Sequence, residues 1–136
     1  MRALLQRVSH AAVHVDDNTI GAIGGGLVVL VGVAADDSID DVNLLAKKIL
    51  NLRIFEGEDV KFNLSALDVQ AELLVISQFT LYADTRRGRR PSFTDAARPD
   101  HSVPLYENMV EALQASGLKV ETGEFGAHML VDIHND

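Results

Sequence analysis

The sequence contains no cysteine, which excludes a disulfide framework, a thiolate nucleophile and a zinc site with cysteine ligands. It also lacks a long hydrophobic run, because its longest apolar stretch, residues 27–31, is far short of the roughly 20 residues that a membrane-spanning helix needs. No basic segment followed by an apolar one begins the chain, so we expect no secretory leader. These absences favour a cytoplasmic protein without a membrane partner.

The chain has fewer positively charged residues than negatively charged ones. Twelve Lys and Arg face twenty Asp and Glu, for a net charge of -8, which argues against an indiscriminate nucleic-acid binder. Four of the twelve cations nevertheless fall within five positions, at Arg86, Arg87, Arg89 and Arg90. Such a patch on an acidic body fits an anionic partner with one docking point.

The 136 residues are 47% apolar and 24% charged, as expected of one globular domain covering residues 1–136. In the first half we predict a β-hairpin over residues 2–23 and a buried central strand over residues 27–33. Ser38 followed by an Asp three residues later resembles a capping box, and apolar residues then recur at helical spacing to Asn51.

The second half predicts one more helix and several strands. Ser102 is placed as the N-cap of that helix and Gly117 as its C-terminal stop, after a long loop over residues 82–104. Residues 56–67 have no clear periodicity and are expected to form a loop. The strands are expected at residues 53–55, 73–81, 118–122 and 127–134, the last two as a closing pair. The fold class is therefore α+β, a mostly antiparallel, barrel-like sheet flanked by two helices.

Polar side chains close the strand predicted over residues 73–81. Ser77, Gln78, Phe79 and Thr80 would bring a hydroxyl, an amide and backbone N–H groups to its end, where they can orient a polar substrate and stabilise an oxyanion. A strand emerging into solvent explains the same residues equally well. Thr80 is a weak nucleophile unless folding brings a base to it.

The arginine loop, residues 86–93, combines guanidinium groups suited to phosphate with a glycine that permits close backbone approach. It ends in Pro91 and in Phe93, a ring that can stack on a base. A solvated charged surface is the alternative, but the acidity of the rest of the chain favours phosphate binding.

Metal and cofactor motifs are weak. His10 and His14 have the spacing of a helical zinc pair, but they fall in a predicted strand, which would hold the rings about 13 Å apart. The glycines at residues 24–26 lack the lysine of a phosphate-binding loop and the third glycine of a dinucleotide fingerprint. We therefore expect no metal and no cofactor.

Four segments, in order and spanning nearly the whole chain, resemble the D-aminoacyl-tRNA deacylases. They are MRALLQRV at residues 1–8, RIF at 53–55, SQFTL at 77–81 and RGRRPSF at 87–93. The resemblance implies an enzyme that hydrolyses the ester between a D-amino acid, or glycine, and the terminal adenosine of tRNA. It also implies a homodimeric, barrel-like fold with its sites at the subunit interface.

The resemblance implies further roles for single residues. Phe125 and Met129 would line the pocket for the terminal adenosine, although core packing explains them as well. Arg7 would hold a Gly-Pro motif arriving from the other subunit, although a surface salt bridge fits it equally. That motif should follow Asn135 and Asp136, where the sequence stops, so we expect the chain to be truncated at its C-terminus.

Two mechanisms and three classes of function stay open from the sequence. In the first mechanism, backbone amides near Phe79 and Thr80 hold the oxyanion while the ribose 2′-hydroxyl of the substrate assists proton transfer. In the second, Thr80 is a nucleophile that forms an acyl-enzyme. Besides a deacylase, the sequence permits a non-catalytic nucleic-acid-binding module of the same fold, or a small oligomeric interaction domain.

Overall fold

A computed structural model describes residues 1–59 and 61–136. The helices are α1 (Ile39–Asn51), a 3-10 helix (Phe79–Tyr82) and α2 (Pro99–Gln114). The strands are β1 (Arg2–Val15), β2 (Asn18–Ile23), β3 (Gly26–Gly32), β4 (Phe55–Glu56), β5 (Phe62–Leu64), β6 (Glu72–Ser77), β7 (Val120–Thr122) and β8 (Leu130–Asn135). None of the helices in these ranges is long and apolar enough to cross a membrane.

β1 organises the main sheet because both of its edges are used. β2 and β3 both pair with β1 along the same edge, because the pairs Ala11–Ile23 and Arg2–Gly32 belong to one register. Two glycines separate β2 from β3. β8 runs antiparallel along the opposite edge, over the C-terminal half of β1. β6 and β7 extend the sheet beyond β3 as parallel strands.

The predicted α+β fold, with two helices and a nearly closed, barrel-like sheet, is confirmed. Three strand pairs of the main sheet are antiparallel and two are parallel. The predicted closing pair is wrong, because β7 pairs with β6 whereas β8 pairs with β1. A short separate ribbon of β4 and β5 interrupts the segment predicted as a loop.

The first helix begins and ends where the sequence indicates. Ser38 and Asp41 form the capping box, since the Ser38 N–H and hydroxyl both donate to the Asp41 carboxylate at 2.8 and 3.1 Å. Val42, Ala46 and Ile49 are buried at helical spacing, on the face that packs into the larger of two hydrophobic clusters. The cluster also contains the sheet residues Leu27, Val29, Leu73 and Val75 and buried residues of α2, among them Met109 and Leu113.

Two predicted boundaries are wrong, and both corrections concern the site. The strand predicted to reach residue 81 ends at Ser77. The Gln78 N–H still donates to the Val31 carbonyl at 2.7 Å, and the backbone then turns into the 3-10 helix. Helix α2 begins at Pro99, three residues before the predicted cap, since proline suits a first turn in which its missing N–H needs no partner. Ser102 therefore lies inside the helix.

Candidate active site

A cleft of about 290 Å³ opens where β6 ends. It has three walls: the strand end with the 3-10 helix, the first turns of α2, and the segment between β7 and β8. Its lining residues are mostly apolar, and they are Val31, Val33, Ile76, Ser77, Gln78, Phe79, Ala97, Ser102, Tyr106, Phe125, Gly126, Ala127, His128, Met129 and Val131. None of these is Asp, Glu, Lys or Arg, so the cleft offers dipoles rather than fixed charges.

The first wall unites three of the predicted catalytic residues. Ser77 is still in register with Val31 of β3, while Gln78 and Phe79 follow it around the turn. Within the described chain, the backbone N–H groups of Phe79 and Thr80 donate no hydrogen bond, as expected for the first residues of a helix. The Phe79 donor belongs to a residue of the cleft lining, and the Thr80 donor follows it in the 3-10 helix.

The packing of the 3-10 helix against β3 depends on Gly32. A Cβ at this position would lie 3.1 Å from the Gln78 carbonyl oxygen and 3.2 Å from both Leu81 Cβ and Tyr82 Cδ2. These contacts are tighter than ordinary van der Waals packing, so the absence of a side chain lets the helix lie directly on the strand.

Thr80, the predicted alternative nucleophile, is exposed and does not line the cleft. Its hydroxyl accepts a hydrogen bond from the Gln78 side-chain amide, and no histidine, lysine or carboxylate bonds to it among the described residues. An amide donor cannot remove a proton, so folding does not supply the base that this hydroxyl would need.

The second wall comes from α2 and was missed by the sequence analysis. Ser102 and Tyr106 are one helical turn apart and both line the cleft. The Tyr106 hydroxyl donates to the Val75 carbonyl at 2.8 Å, and burial raises the pKa of Tyr106 to about 12. Tyr106 is therefore a neutral hydrogen-bond donor that joins the helix to the sheet.

The third wall contains Phe125 and Met129, as the resemblance implies. The Phe125 ring lies 5.8 Å from the Tyr106 ring, and a Cβ at Gly123 would be 2.4 Å from the Met129 sulfur, so both side chains are fixed by close neighbours. Each also packs on a hydrophobic cluster, so lining the cleft and filling the core are compatible. His128 lines this wall as well, although no periodicity of the sequence pointed to it.

Arg7 lies outside the cleft lining. Its Nη1 donates to the Ile54 carbonyl at 2.9 Å, and its guanidinium forms ion pairs with Glu56 at 3.7 Å and Asp136 at 3.4 Å. The ion pairs are those of a salt bridge near the protein surface, and the role of Arg7 in holding a Gly-Pro motif stays a prediction.

The arginine loop is closed at its base by reciprocal backbone hydrogen bonds between Asp84 and Ser92, at 2.7 and 2.9 Å. Arg86 is held by the Asp84 carboxylate, and this side-chain bond raises the pKa of Arg86 and lowers that of Asp84. In contrast, the other three guanidinium groups are exposed and form no hydrogen bond or ion pair within the described chain; these are Arg87, Arg89 and Arg90.

An aromatic contact joins this loop to the cleft. The rings of Phe79 and Phe93 meet edge to face, with centroids 5.1 Å apart and planes at 75°. Phe79 is 56% exposed, and it lines the cleft on one side while touching the loop on the other. The candidate catalytic and phosphate-binding residues therefore form one continuous surface.

The two strand histidines each have a partner in β8 rather than each other. The ring of His10 stacks on that of His134 with centroids 3.6 Å apart. His14 hydrogen-bonds the Asp132 carboxylate at 3.0 Å and the Thr19 hydroxyl at 2.9 Å.

Comparisons with known proteins agree on the fold and the family. Residues 4–136 match the family model described as D-Tyr-tRNA(Tyr) deacylase. The chain is 59% identical over 136 residues to a D-aminoacyl-tRNA deacylase of Thermotoga petrophila, covering all of this chain and 91% of that one. A solved structure of a c-Myc DNA unwinding element binding protein superposes with a TM-score of 0.93 at 38% identity, covering 100% and 93% of the two chains. A probable eukaryotic D-amino acid tRNA deacylase gives a TM-score of 0.86 at 15% identity over 98% and 93%, a likeness of fold alone.

Proposed function

The chain belongs to the D-Tyr-tRNA(Tyr) deacylase family, and from that premise we propose that it hydrolyses the ester bond of D-aminoacyl-tRNA in the cleft at the end of β6. One observation carries the assignment of the site: Ser77, Gln78 and Phe79 meet Phe125 and Met129 around a single cavity. An amino acid ester of adenosine has a polar reacting centre next to a flat base, and the cleft offers matching surfaces.

Stabilisation of the oxyanion is assigned to the backbone. The N–H groups of Phe79 and Thr80 have no acceptor within the described chain, and they begin a short helix beside the cleft. Fixed amide donors of this kind reduce the barrier to ester cleavage, and a single donor typically contributes about 100- to 1,000-fold in rate. Gln78 orients the substrate, and Ser77 supports the end of the strand.

Proton transfer is assigned to the ribose 2′-hydroxyl of the substrate. The residues that line the cleft include no carboxylate or lysine. Their one histidine, His128, is exposed on the third wall, and the Thr80 hydroxyl is bonded to an amide rather than to a base. These contacts support substrate assistance over a threonyl acyl-enzyme.

The experiment that separates the two mechanisms measures deacylation under single-turnover conditions. Thr80→Ala should keep activity within about tenfold of the unmodified protein, because it loses one hydrogen bond and no nucleophile. Substrate ending in 2′-deoxyadenosine should react far more slowly. Full activity on the deoxy substrate would remove substrate assistance, and loss of all activity in Thr80→Ala would favour the covalent route.

The tRNA contacts are assigned to the arginine loop. Three unpaired guanidinium groups on an acidic protein favour an RNA backbone, and phosphate contacts carry no base sequence, so one enzyme can serve many tRNAs. Phe125 and Met129 would hold the terminal adenine by apolar contact. A non-catalytic binding module would bind tRNA without hydrolysing it, so the deacylation assay separates the two functions.

Assembly as a homodimer and acceptance of glycine belong to the same proposal. Support for a dimer comes from the second edge of β1 over residues 2–6, which pairs with no strand in the described part of the chain, and from exposed Leu4 and Phe62. Sedimentation should give the mass of two chains. The protein would act in the cytoplasm. Rates of hydrolysis of D-, L- and glycyl-tRNA would measure how strictly it selects the amino acid.

A further inference from the structure

Ser102 is a buried hydroxyl without a partner. Three polar residues of the described chain are buried, and Ser102 is one of them, with 8% of its surface exposed. The other two are bonded: Ser65 Oγ donates to Asp68 at 2.7 Å, and the Asp37 carboxylate accepts from the Ala34 N–H at 2.6 Å. The Ser102 hydroxyl forms no hydrogen bond to any residue in the described ranges, although its backbone N–H donates to Arg98 as α2 begins.

The Ser102 hydroxyl is accessible from the cleft. Ser102 lines the cleft, and its oxygen is not among the fully enclosed atoms that lack a partner. An oxygen that is accessible from the cleft can bond to water or to a ligand that enters it. The Ser102 hydroxyl is therefore a donor and acceptor that a ligand in the cleft can reach.

The order in which the ester, the ribose and the adenine are linked limits which group of the substrate can reach Ser102. In the proposed function the ester carbonyl lies at Phe79 and the adenine at Phe125. The ribose connects the two groups, and it must lie between the walls that hold them. Ser102 belongs to the remaining wall, one turn from Tyr106, whose ring contacts Phe125. A hydroxyl both donates and accepts, so it suits the ribose hydroxyl next to the ester.

We propose that Ser102 binds the ribose 2′-hydroxyl of the terminal adenosine and so holds the sugar in place between the adenine and the ester carbonyl. The proposal rests on the proposed function, and it adds a substrate-binding residue that distinguishes a ribose from a deoxyribose end. It also places a protein group on the same hydroxyl that the reaction uses for proton transfer, so this hydroxyl would be oriented by α2.

The test uses binding, so that it does not depend on the mechanism. A short tRNA acceptor helix carries a D-amino acid linked to the 3′ position through an amide, which is not an ester and is measured as a bound complex. Two versions differ only in the 2′-hydroxyl. The unmodified protein should bind the hydroxyl version about tenfold more tightly, and Ser102→Ala should bind both versions equally.

Several outcomes overturn the proposal. It is wrong if Ser102→Ala weakens both versions by the same factor, because the serine then acts through packing, or if the preference for the hydroxyl survives in the variant. Ser116→Ala removes a hydroxyl at the far end of α2, where it bonds to Leu113, and should keep the tenfold preference. Melting curves of both variants show whether they fold.

Failure of the proposed function has a different outcome. If the unmodified protein does not hydrolyse D-aminoacyl-tRNA, the function and the Ser102 assignment both fall. If it hydrolyses the ester but shows no preference for the 2′-hydroxyl in binding, only the Ser102 assignment is overturned.

Discussion

The cleft is lined by fifteen residues without a permanently charged side chain, whereas the arginine loop beside it carries four guanidinium groups within five positions. In the cleft, the Tyr106 hydroxyl is held by the Val75 carbonyl of β6. The arginine loop is exposed, and only Arg86 is restrained by an ion pair. The two regions touch through the rings of Phe79 and Phe93.

The two regions differ in what they can contribute, the cleft to the rate of the reaction and the arginine loop to the affinity for tRNA. Backbone dipoles at fixed positions stabilise charge that appears only in the transition state, while exposed cations attract phosphates at long range and respond to salt. Changes in the cleft should therefore alter the rate, and changes in the arginine loop should alter binding.

The largest effect is expected from Gly32→Val. Its side chain would push the 3-10 helix away from β3 and displace the Phe79 and Thr80 amides, so single-turnover deacylation should fall about 100-fold or more while tRNA binding changes little. Gly25→Val is the matched control, because no atom lies within 4 Å of a Cβ there. Normal rates in Gly32→Val would show that the placement of these amides does not govern catalysis.

A smaller effect is expected from replacing Arg87, Arg89 and Arg90 together with alanine. Affinity for tRNA should fall about tenfold at low salt, and the slope of log affinity against log salt should flatten by about 2 to 3, with the rate at saturation unchanged. Lys47, Lys48 and Arg53 replaced together give the same change of net charge away from the loop. An equal loss in that control would mean that net charge, rather than the arginine loop, determines binding.

At low pH the fold should lose stability before the chemistry of the cleft changes. Hydrogen bonds from Ser38, Ser65 and Gly24 lower the pKa values of Asp41, Asp68 and Glu72, respectively, below the ordinary 3.8 and 4.5. The stability that these bonds add is present above the ordinary values and is lost as the pH falls through the lowered ones. Urea unfolding at pH 7 and 3 should show this loss, and activity should disappear together with the folded fraction.

Asp68→Asn should reduce the pH dependence of the unfolding free energy, since its carboxylate no longer titrates. Glu107→Gln, on the exposed face of α2, is the control and should leave that dependence unchanged. A loss of activity at a pH where the protein is still folded would contradict the assignment of the acid effect to the scaffold.

The smallest effect should come from Phe93→Leu, which removes the edge-to-face contact with Phe79. Such a pair contributes about 0.5–1.5 kcal/mol beyond the area it buries. Affinity and rate should each fall only about two- to fivefold, measured as Kd for tRNA and as the single-turnover rate. An effect on one of the two alone would show that the cleft and the arginine loop are not coupled through these rings.

The sequence predicted the parts of this molecule that depend on local interactions. The capping box at Ser38 and the polar end of the apolar run at Ser77 are local features, and both are found in the structure. The partners of β7 and β8 depend on contacts between distant residues, so alternation of apolar residues did not reveal them.

The wall of the cleft on α2 was missed for a related reason. Serine is a frequent N-cap, so the sequence favoured Ser102 in that role over Arg98, which occupies it in the structure. An N-cap serine lies before the first turn, whereas Ser102 is the fourth residue of α2 and lines the cleft. His128 lies in a short connecting segment where no periodicity applies.

The uneven use of β1 has a consequence for the order of folding. β1, β2 and β3 pair within the first 32 residues, with one register shift after Val13 and a short turn, so this ribbon closes few long loops and should form early. Except for Val31 and Val33, the residues that line the cleft come from position 76 onward, and the connection from β3 to the parallel strand β6 includes α1. A growing chain would therefore acquire its ribbon long before its cleft, and the catalytic surface would be the last part to be assembled.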